Sequence, residues 1–316
     1  MSIPTALSRL GLVGLLTAAC AGDPPTRVHV PETGVSTIEA NGIRFAYFAD
    51  GDPKDPLVLL VHGFPDTAHA WDELRPKIAA RGYYVVSPFT RGYAPTTAPE
   101  GDEFDARALG EDVLALIDAF GRDDADVVGH DWGALAVYSA AALDPSKIRT
   151  LTALAIPHPG TLKIRLRDLH RTRHFVALRK QHADRRVAGD DYAGVVELYR
   201  RWSPTWAFSD ADVEPVKNSF AAPGSLHAAL GYYRDLKLKA PDFLRQPTQV
   251  PVLVIAGLAD GTTPLQAYEE TSGFGAEHRT ETLQAGHFPH REQPEAFLRL
   301  LLDFLAAHPP TRAPAG

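Results

Sequence analysis

From residue 35 onward the apolar positions alternate between short unbroken runs and longer stretches with helical spacing. Residues 35–40 and 43–48 read as strands flanking Asn41-Gly42, a dipeptide suited to a tight hairpin turn, so the fold opens on an antiparallel pair. Residues 56–61 form a continuous apolar run, the pattern of a strand covered on both faces of a parallel sheet. A helix over about 67–80, a strand over 83–87, a helix over about 104–120, a strand over 125–129, an Ala-rich helix over 134–143 and a strand over 148–156 follow. Strands and helices alternating at these lengths predict an α/β fold with a mostly parallel, doubly wound sheet.

The alternation stops near residue 161. Residues 161–240 hold no clear buried strand, several amphipathic helical stretches and loops carrying Pro204, Pro215 and Pro223, which predicts an inserted helical cap. Strand patterns return over 250–257 and 279–283, and a helix over about 294–306 ends the domain. The sheet domain is therefore expected over 35–160 and 241–308, the cap over 161–240, and a Pro- and Ala-rich tail over 309–316.

The N-terminus follows another logic. Arg9 precedes an apolar run over 10–19, too short to span a bilayer but of the length of a signal peptide's apolar core. Leu-Thr-Ala-Ala-Cys at 16–20 resembles a bacterial lipobox, which makes Cys20 the candidate lipidation site, residues 1–20 a signal peptide and residues 21–34 a tether. This implies export, to the periplasm or as an outer-membrane lipoprotein; a misplaced start ahead of a cytoplasmic domain is the alternative. Cys20 is the sole cysteine among 316 residues, so no internal disulfide forms. A net charge of −7 and a pI near 6.0 argue against nucleic acid as the main partner. Against that balance, Lys163, Arg165, Arg167, Arg171, Arg173, Arg179, Lys180, Arg185 and Arg186, with His170, His174 and His182, crowd the first part of the cap. A solvated face is the default reading, and contact with anionic lipid headgroups the sharper one.

The chemistry centres on Val127-Val128-Gly129-His130-Asp131-Trp132-Gly133-Ala134. Small residues at 129, 133 and 134 stand where a strand folding straight into a helix brings backbone against backbone, as a nucleophile elbow requires. Its tip is Asp131. A carboxylate is already ionised at neutral pH and attacks without a base, and a helix N-terminus favours its charge. Such a group suits a saturated carbon bearing a leaving group, as in an epoxide or alkyl halide, and leaves an alkyl ester for water to cleave. An aspartate that merely caps the helix is the alternative. Asp260, just past the strand over 250–257, and His287, in the loop after the last strand, fall at the C-terminal strand ends where such sheets gather catalytic groups.

Gly-His-Asp-Trp-Gly-Ala at 129–134, His-Gly-Phe-Pro at 62–65 followed by Trp71, Arg-Gly-Tyr at 91–93 and Gly-His-Phe-Pro-His-Arg-Glu-Gln-Pro-Glu at 286–295 resemble the epoxide-hydrolase branch of the α/β-hydrolase fold, over about residues 35–308. The order Asp131, Asp260, His287 is that fold's nucleophile, acid and base. The resemblance implies that Asp131 attacks an epoxide carbon while cap tyrosines donate to the ring oxygen. It implies that His287, oriented by Asp260, activates water against the ester, and that the backbone N–H groups of Phe64 and Trp132 hold the oxyanion. The substrate is then a small apolar electrophile. No phosphate loop, dinucleotide fingerprint or metal-ligand spacing appears, so neither cofactor nor metal is expected, and His62 and His130 read as packed.

For the cap tyrosines, residues 225–239 read as a helix on which Leu226, Leu230 and Tyr233 share a face, and Gly-Tyr-Tyr-Arg at 231–234 resembles the family's second-tyrosine motif. Tyr233 is therefore the candidate rather than Tyr232, with a packing tyrosine as the alternative. For the first tyrosine, Tyr192 and Tyr199 fall seven apart on one helical face, and Tyr199 is favoured. A dehalogenase remains a rival, with the Trp132 indole on the halide, although Phe64 stands where one branch has asparagine and Trp132 where fluoroacetate dehalogenases have arginine. A non-catalytic binding protein on the same fold is the rival from another class.

Overall fold

The computed structural model describes residues 32–310 except 100, 102, 162, 164–167, 238, 272, 273 and 276. The expected signal peptide with Cys20, most of the tether, Arg165, Arg167 and the end of the tail lie outside the described residues. The strands are β1 (Ser36–Ala40), β2 (Ile43–Asp50), β3 (Leu57–Val61), β4 (Tyr84–Pro88), β5 (Ala125–His130), β6 (Ile148–Leu154), β7 (Val252–Gly257) and β8 (His278–Leu283). The helices are α1 (Arg75–Ala79), α2 (Ala106–Ala119), α3 (Trp132–Leu143), α4 (Arg173–Leu178), α5 (Ala183–Trp202), α6 (Asp210–Ala221), α7 (Ser225–Asp235), α8 (Gln266–Glu269), α9 (Pro289–Glu292) and α10 (Pro294–Ala307).

One sheet of eight strands runs in the order β1-β2-β4-β3-β5-β6-β7-β8. Asn41 and Gly42 turn β1 into an antiparallel β2 at φ 47° and 70°, as that dipeptide allows. β2 meets β4 antiparallel, and every later neighbour pairs parallel. The residues of β3 alternate between two cores: Leu57, Leu59 and Val61 pack with α2, α3 and the cap, whereas Val58 and Leu60 pack with α1 and α10. Both sheet faces are therefore covered, which is why β3 and β7 are apolar throughout and β5 is buried along its whole length.

The continuous helix expected over 67–80 is broken. A 3-10 turn over Ala68–Trp71 precedes α1, which begins one residue before Pro76. Proline lacks an N–H and disfavours helical backbone before it, so the two pieces cannot fuse.

Between β6 and β7, α4 to α7 form the cap. α5 is itself divided, because Asp190, Asp191 and Tyr192 take left-handed backbone at φ 51°, 51° and 63° after Gly189. Aspartate tolerates that region better than most residues. Tyr192 and Tyr199 consequently do not share one helical face. The cap is tied to the sheet domain by hydrogen bonds from Tyr232 Oη to the Arg91 carbonyl (2.9 Å), from Ser219 Oγ to the Ala94 carbonyl (2.8 Å) and from the Gly261 N–H to the Trp202 carbonyl (2.9 Å). Arg91 is in turn held by both oxygens of the buried Asp112 carboxylate, each at 2.6 Å, so the Arg-Gly-Tyr stretch serves the seat of the cap. Among the described residues no helix is long and apolar enough to cross a membrane.

Candidate active site

The junction of β5 and α3 is as tight as the sequence suggests. A Cβ on Gly129 would lie 2.2 Å from the Gly133 carbonyl oxygen, and one on Gly133 would lie 2.1 Å from that of Val61. Only glycine fits either place. The turn so formed puts Asp131 at φ 53°, ψ −115°, a backbone state that a residue with a side chain rarely adopts and that surrounding packing must impose. Asp131 Oδ1 accepts from the Phe64 N–H at 3.0 Å, and the Trp132 N–H also bonds the carboxylate. Oδ2 faces His287 Nε2 at 3.4 Å. The Asp131 side chain is 14% exposed against 1% for His287, so the carboxylate fronts the cleft and the imidazole stands behind it.

Asp260 follows β7, and His287 lies between β8 and α9. Asp260 Oδ2 pairs with His287 Nδ1 at 3.0 Å. Its Oδ1 accepts from the Thr262 N–H (2.6 Å), Thr262 Oγ1 (2.8 Å) and the Thr263 N–H (3.2 Å), which fixes the carboxylate's orientation. Burial works against a charge on His287, but Asp260 and Asp131 together outweigh it and push the imidazole up to about 10. Burial likewise opposes the charge of Asp131, and His287 overcomes this to hold the carboxyl below its usual range. The three residues thus form a buried chain of carboxylate, imidazolium and carboxylate.

The cap roofs this chain with aromatic rings. Tyr233 stands edge-on to both Phe64 (5.1 Å between ring centres) and Trp132 (5.1 Å), and the Asp131 charge acts on its hydroxyl. Tyr232 is spent on the Arg91 carbonyl. Tyr199 does not serve as a second cleft acid: its hydroxyl donates to Asp66 Oδ1 at 2.7 Å, beside Arg291, which binds the same oxygen at 2.6 Å. It belongs to an ionic joint between cap and sheet domain, because Asp66 needs partners once buried.

His174 was not legible as a cleft residue. It reads in the sequence as one of the basic run, yet it is 4% exposed and packs against Phe175, Trp202 and Tyr233. Its Nδ1–H donates to the Arg171 carbonyl at 2.8 Å, which leaves the Nε2 lone pair free. Burial, against the pull of Asp131, lowers it to about 4, so it is neutral at pH 7. The usable signal was the apolar spacing of His174 with Leu178 on one side of α4.

His62 and His130 serve the scaffold. His62 Nε2 accepts from the Thr90 N–H at 3.0 Å, and His130 Nε2–H donates to the His287 carbonyl at 2.8 Å. Asp66, His130 and His290 do gather possible ligand atoms within 4.8 Å of one another. Arg291 already balances the single carboxylate of that group, which disfavours adding a dication.

A family model described as the alpha/beta hydrolase fold matches residues 56–294. Epoxide hydrolase A of Mycobacterium tuberculosis is 27% identical over 310 residues, spanning 85% of this chain and 96% of that protein. A superfamily hydrolase of Bacillus subtilis is 28% identical over 277 residues, with the same two shares of 85% and 96%. Among solved structures, the Bacillus megaterium epoxide hydrolase in complex with an inhibitor superposes with a TM-score of 0.77 at 26% identity, covering 86% of this chain and 100% of that one.

Proposed function

This chain belongs to the α/β-hydrolase fold family and is an enzyme of its epoxide-hydrolase-like kind, and from that premise we propose that it converts a small apolar epoxide and water into a diol through an ester on Asp131. In the first step Asp131 Oδ2 attacks a ring carbon, the C–O bond breaks, and Tyr233 gives its proton to the departing oxygen. In the second, His287 takes a proton from water and the hydroxide adds to the Asp131 carboxyl carbon. The oxyanion then forms on Oδ1, where the Phe64 N–H already points, and the Trp132 N–H also bonds the carboxyl group. Collapse of the adduct passes the His287 proton to the leaving diol, and the acid proton on Asp131 makes good the one Tyr233 gave.

One observation carries this reading. The two oxygens of Asp131 face different machinery, Oδ1 the Phe64 N–H and Oδ2 the imidazole, beneath a tyrosine whose hydroxyl feels the Asp131 charge. The test is a His287→Ala protein incubated in turn with epoxides, alkyl halides and esters, followed by peptide mass. An adduct from epoxides on the peptide holding Asp131 is expected; none from any compound sinks the mechanism. Dehalogenation is the second reading, because the buried Trp132 indole N–H meets the Tyr233 hydroxyl beside the Asp131 charge and is a donor that a departing halide could also use. An adduct from halides alone would select it. Export with acylation at Cys20 is part of the same proposal, and palmitate labelling that survives Cys20→Ser would refute it.

A further inference from the structure

Arg173 and Val176 fall three apart on one side of α4, and Leu169 and Lys180 flank the helix in the turns before and after it. That side is exposed, whereas His174 and Leu178 on the other are buried against the cleft. Val176 is 66% exposed and Leu169 49%, the highest values among the large apolar side chains described. The next two, Leu258 and Leu265, lie in the segment after β7 that holds Asp260, and Arg171 beside α4 donates to the Asp260 carbonyl at 2.7 Å. Leu258 and Leu265 thus lie in the segment that Arg171 ties to the cap.

The same side is cationic. Arg173, Arg179, Lys180, Arg185 and Arg186 are exposed, and none forms an ion pair with a described carboxylate. Arg173 and Arg186 lie close enough to Arg201 to repel it. In a chain of net charge −7, cations gathered without carboxylate partners around solvent-facing Leu and Val side chains are complementary to a surface with anionic headgroups over an apolar interior.

We propose that this outer face of α4 docks onto an anionic phospholipid surface. Val176 and Leu169 enter the headgroup boundary, and the long stems of the arginines and Lys180 lie along it with their charges on the phosphates. The docking helix is the one whose inner face roofs the cleft, so an apolar compound dissolved in the lipid meets the enzyme at its mouth. A nucleic acid would be attracted by the charges but would gain nothing from the exposed Leu and Val side chains. The surface stands independently of which bond the cleft hydrolyses.

The test uses the full chain with Cys20→Ser, so that no acyl chain contributes. It is sedimented with vesicles of phosphatidylcholine alone and with vesicles rich in phosphatidylglycerol. Binding only to the second is expected, and it should weaken as salt rises. Each neutralised cation should lower partitioning about fivefold, so Arg173→Gln, Arg179→Gln and Lys180→Gln together should lower it about a hundredfold. Leu169→Ser with Val176→Ser should weaken it with every charge kept. Lys54→Gln with Arg81→Gln, at the opposite ends of the strands, should change nothing. Melting temperatures equal to the parent's certify that the variants fold. Equal sedimentation with both vesicles, sedimentation with neither, or a triple variant that binds like the parent overturns the proposal. So does an oligonucleotide bound as tightly as vesicles by a chain indifferent to the serine changes.

Discussion

Replacing Asp260 by asparagine should separate the two proposed chemical steps. Oδ1 of Asp260 takes three donors from Thr262 and Thr263, whereas Oδ2 has only His287 Nδ1, at 3.0 Å. The amide of Asn can satisfy those donors only by putting its oxygen at the Oδ1 position, so its NH2 is turned toward His287. Nδ1 must then accept, and the imidazole proton moves to Nε2, pointing at Asp131. A base in that tautomer cannot take a proton from water, and the same inversion in a serine protease triad costs about 10⁴ in rate, or about 5.5 kcal/mol of barrier. Asp131 keeps both backbone donors and its access to the cleft, so alkylation should stay within about tenfold of the parent's rate, the scale of a shift of about 1.4 kcal/mol. Turnover should therefore fall about 10⁴-fold while ester builds up to one per chain, read by quenched mass analysis of the peptide holding Asp131. Lost turnover with no accumulated ester, or ester hydrolysis within about tenfold of the parent, would refute the assignment of Asp260 to His287.

Tyr233→Phe and Tyr199→Phe should fail in opposite ways. The first should slow adduct formation by about 10²–10³ with little change in stability; the second should leave the adduct rate within a few-fold and lower stability by about 1.5–3 kcal/mol in denaturant titration, because a buried carboxylate loses a donor. His287 sets a pH window: its folded pKa of about 10 stands above the ordinary 6.5, so the stability it contributes is complete below 6.5 and is lost as pH rises through 10. Denaturant melts across that range should show the decline in the parent, and a decline equally steep in Asp131→Asn would contradict the pairing. Gly133→Ala should cost about 1–3 kcal/mol or more, since its Cβ would meet the Val61 carbonyl, and an unchanged melting temperature would show the elbow to be looser than described.

Much of this was legible because it lives in local rules. Short apolar runs and Asn41-Gly42 fix strands and hairpin, and the small residues at 129 and 133 betray a backbone contact before any coordinates exist. Asp260 and His287 were legible because the ends of parallel strands converge on one edge, so order along the chain stands in for position. The cap resisted the same approach. The turn at Asp190 to Tyr192 breaks a helical period that continues in the letters, and nothing in the spacing announces it. Tyr199 shares the signature of a cleft tyrosine, and only the arrival of Asp66 and Arg291, each far away in sequence, diverts its hydroxyl. His174 was hidden by its neighbours, because a run of cations gives no sign of which member turns inward.

Asp131, Asp66 and Asp260 show why it is the fold, and not the residue type, that singles out Asp131 as the proposed nucleophile. Asp260 has both oxygens engaged, and Asp66 holds Arg291 and Tyr199 on one oxygen with the other enclosed. Asp131 alone keeps an oxygen turned to the cleft with no donor closer than the imidazole at 3.4 Å. That same imidazole gives the proposed reaction its order. While Asp131 is anionic it helps to hold the proton on His287, so the imidazole is disfavoured as a base and the carboxylate stays charged for attack. Esterification removes the negative charge, and the balance on His287 tips back toward the neutral form that burial favours. Its readiness to act as a base therefore rises once there is an ester to hydrolyse, with Asp260 still favouring the proton, and falls again when hydrolysis restores the Asp131 carboxylate.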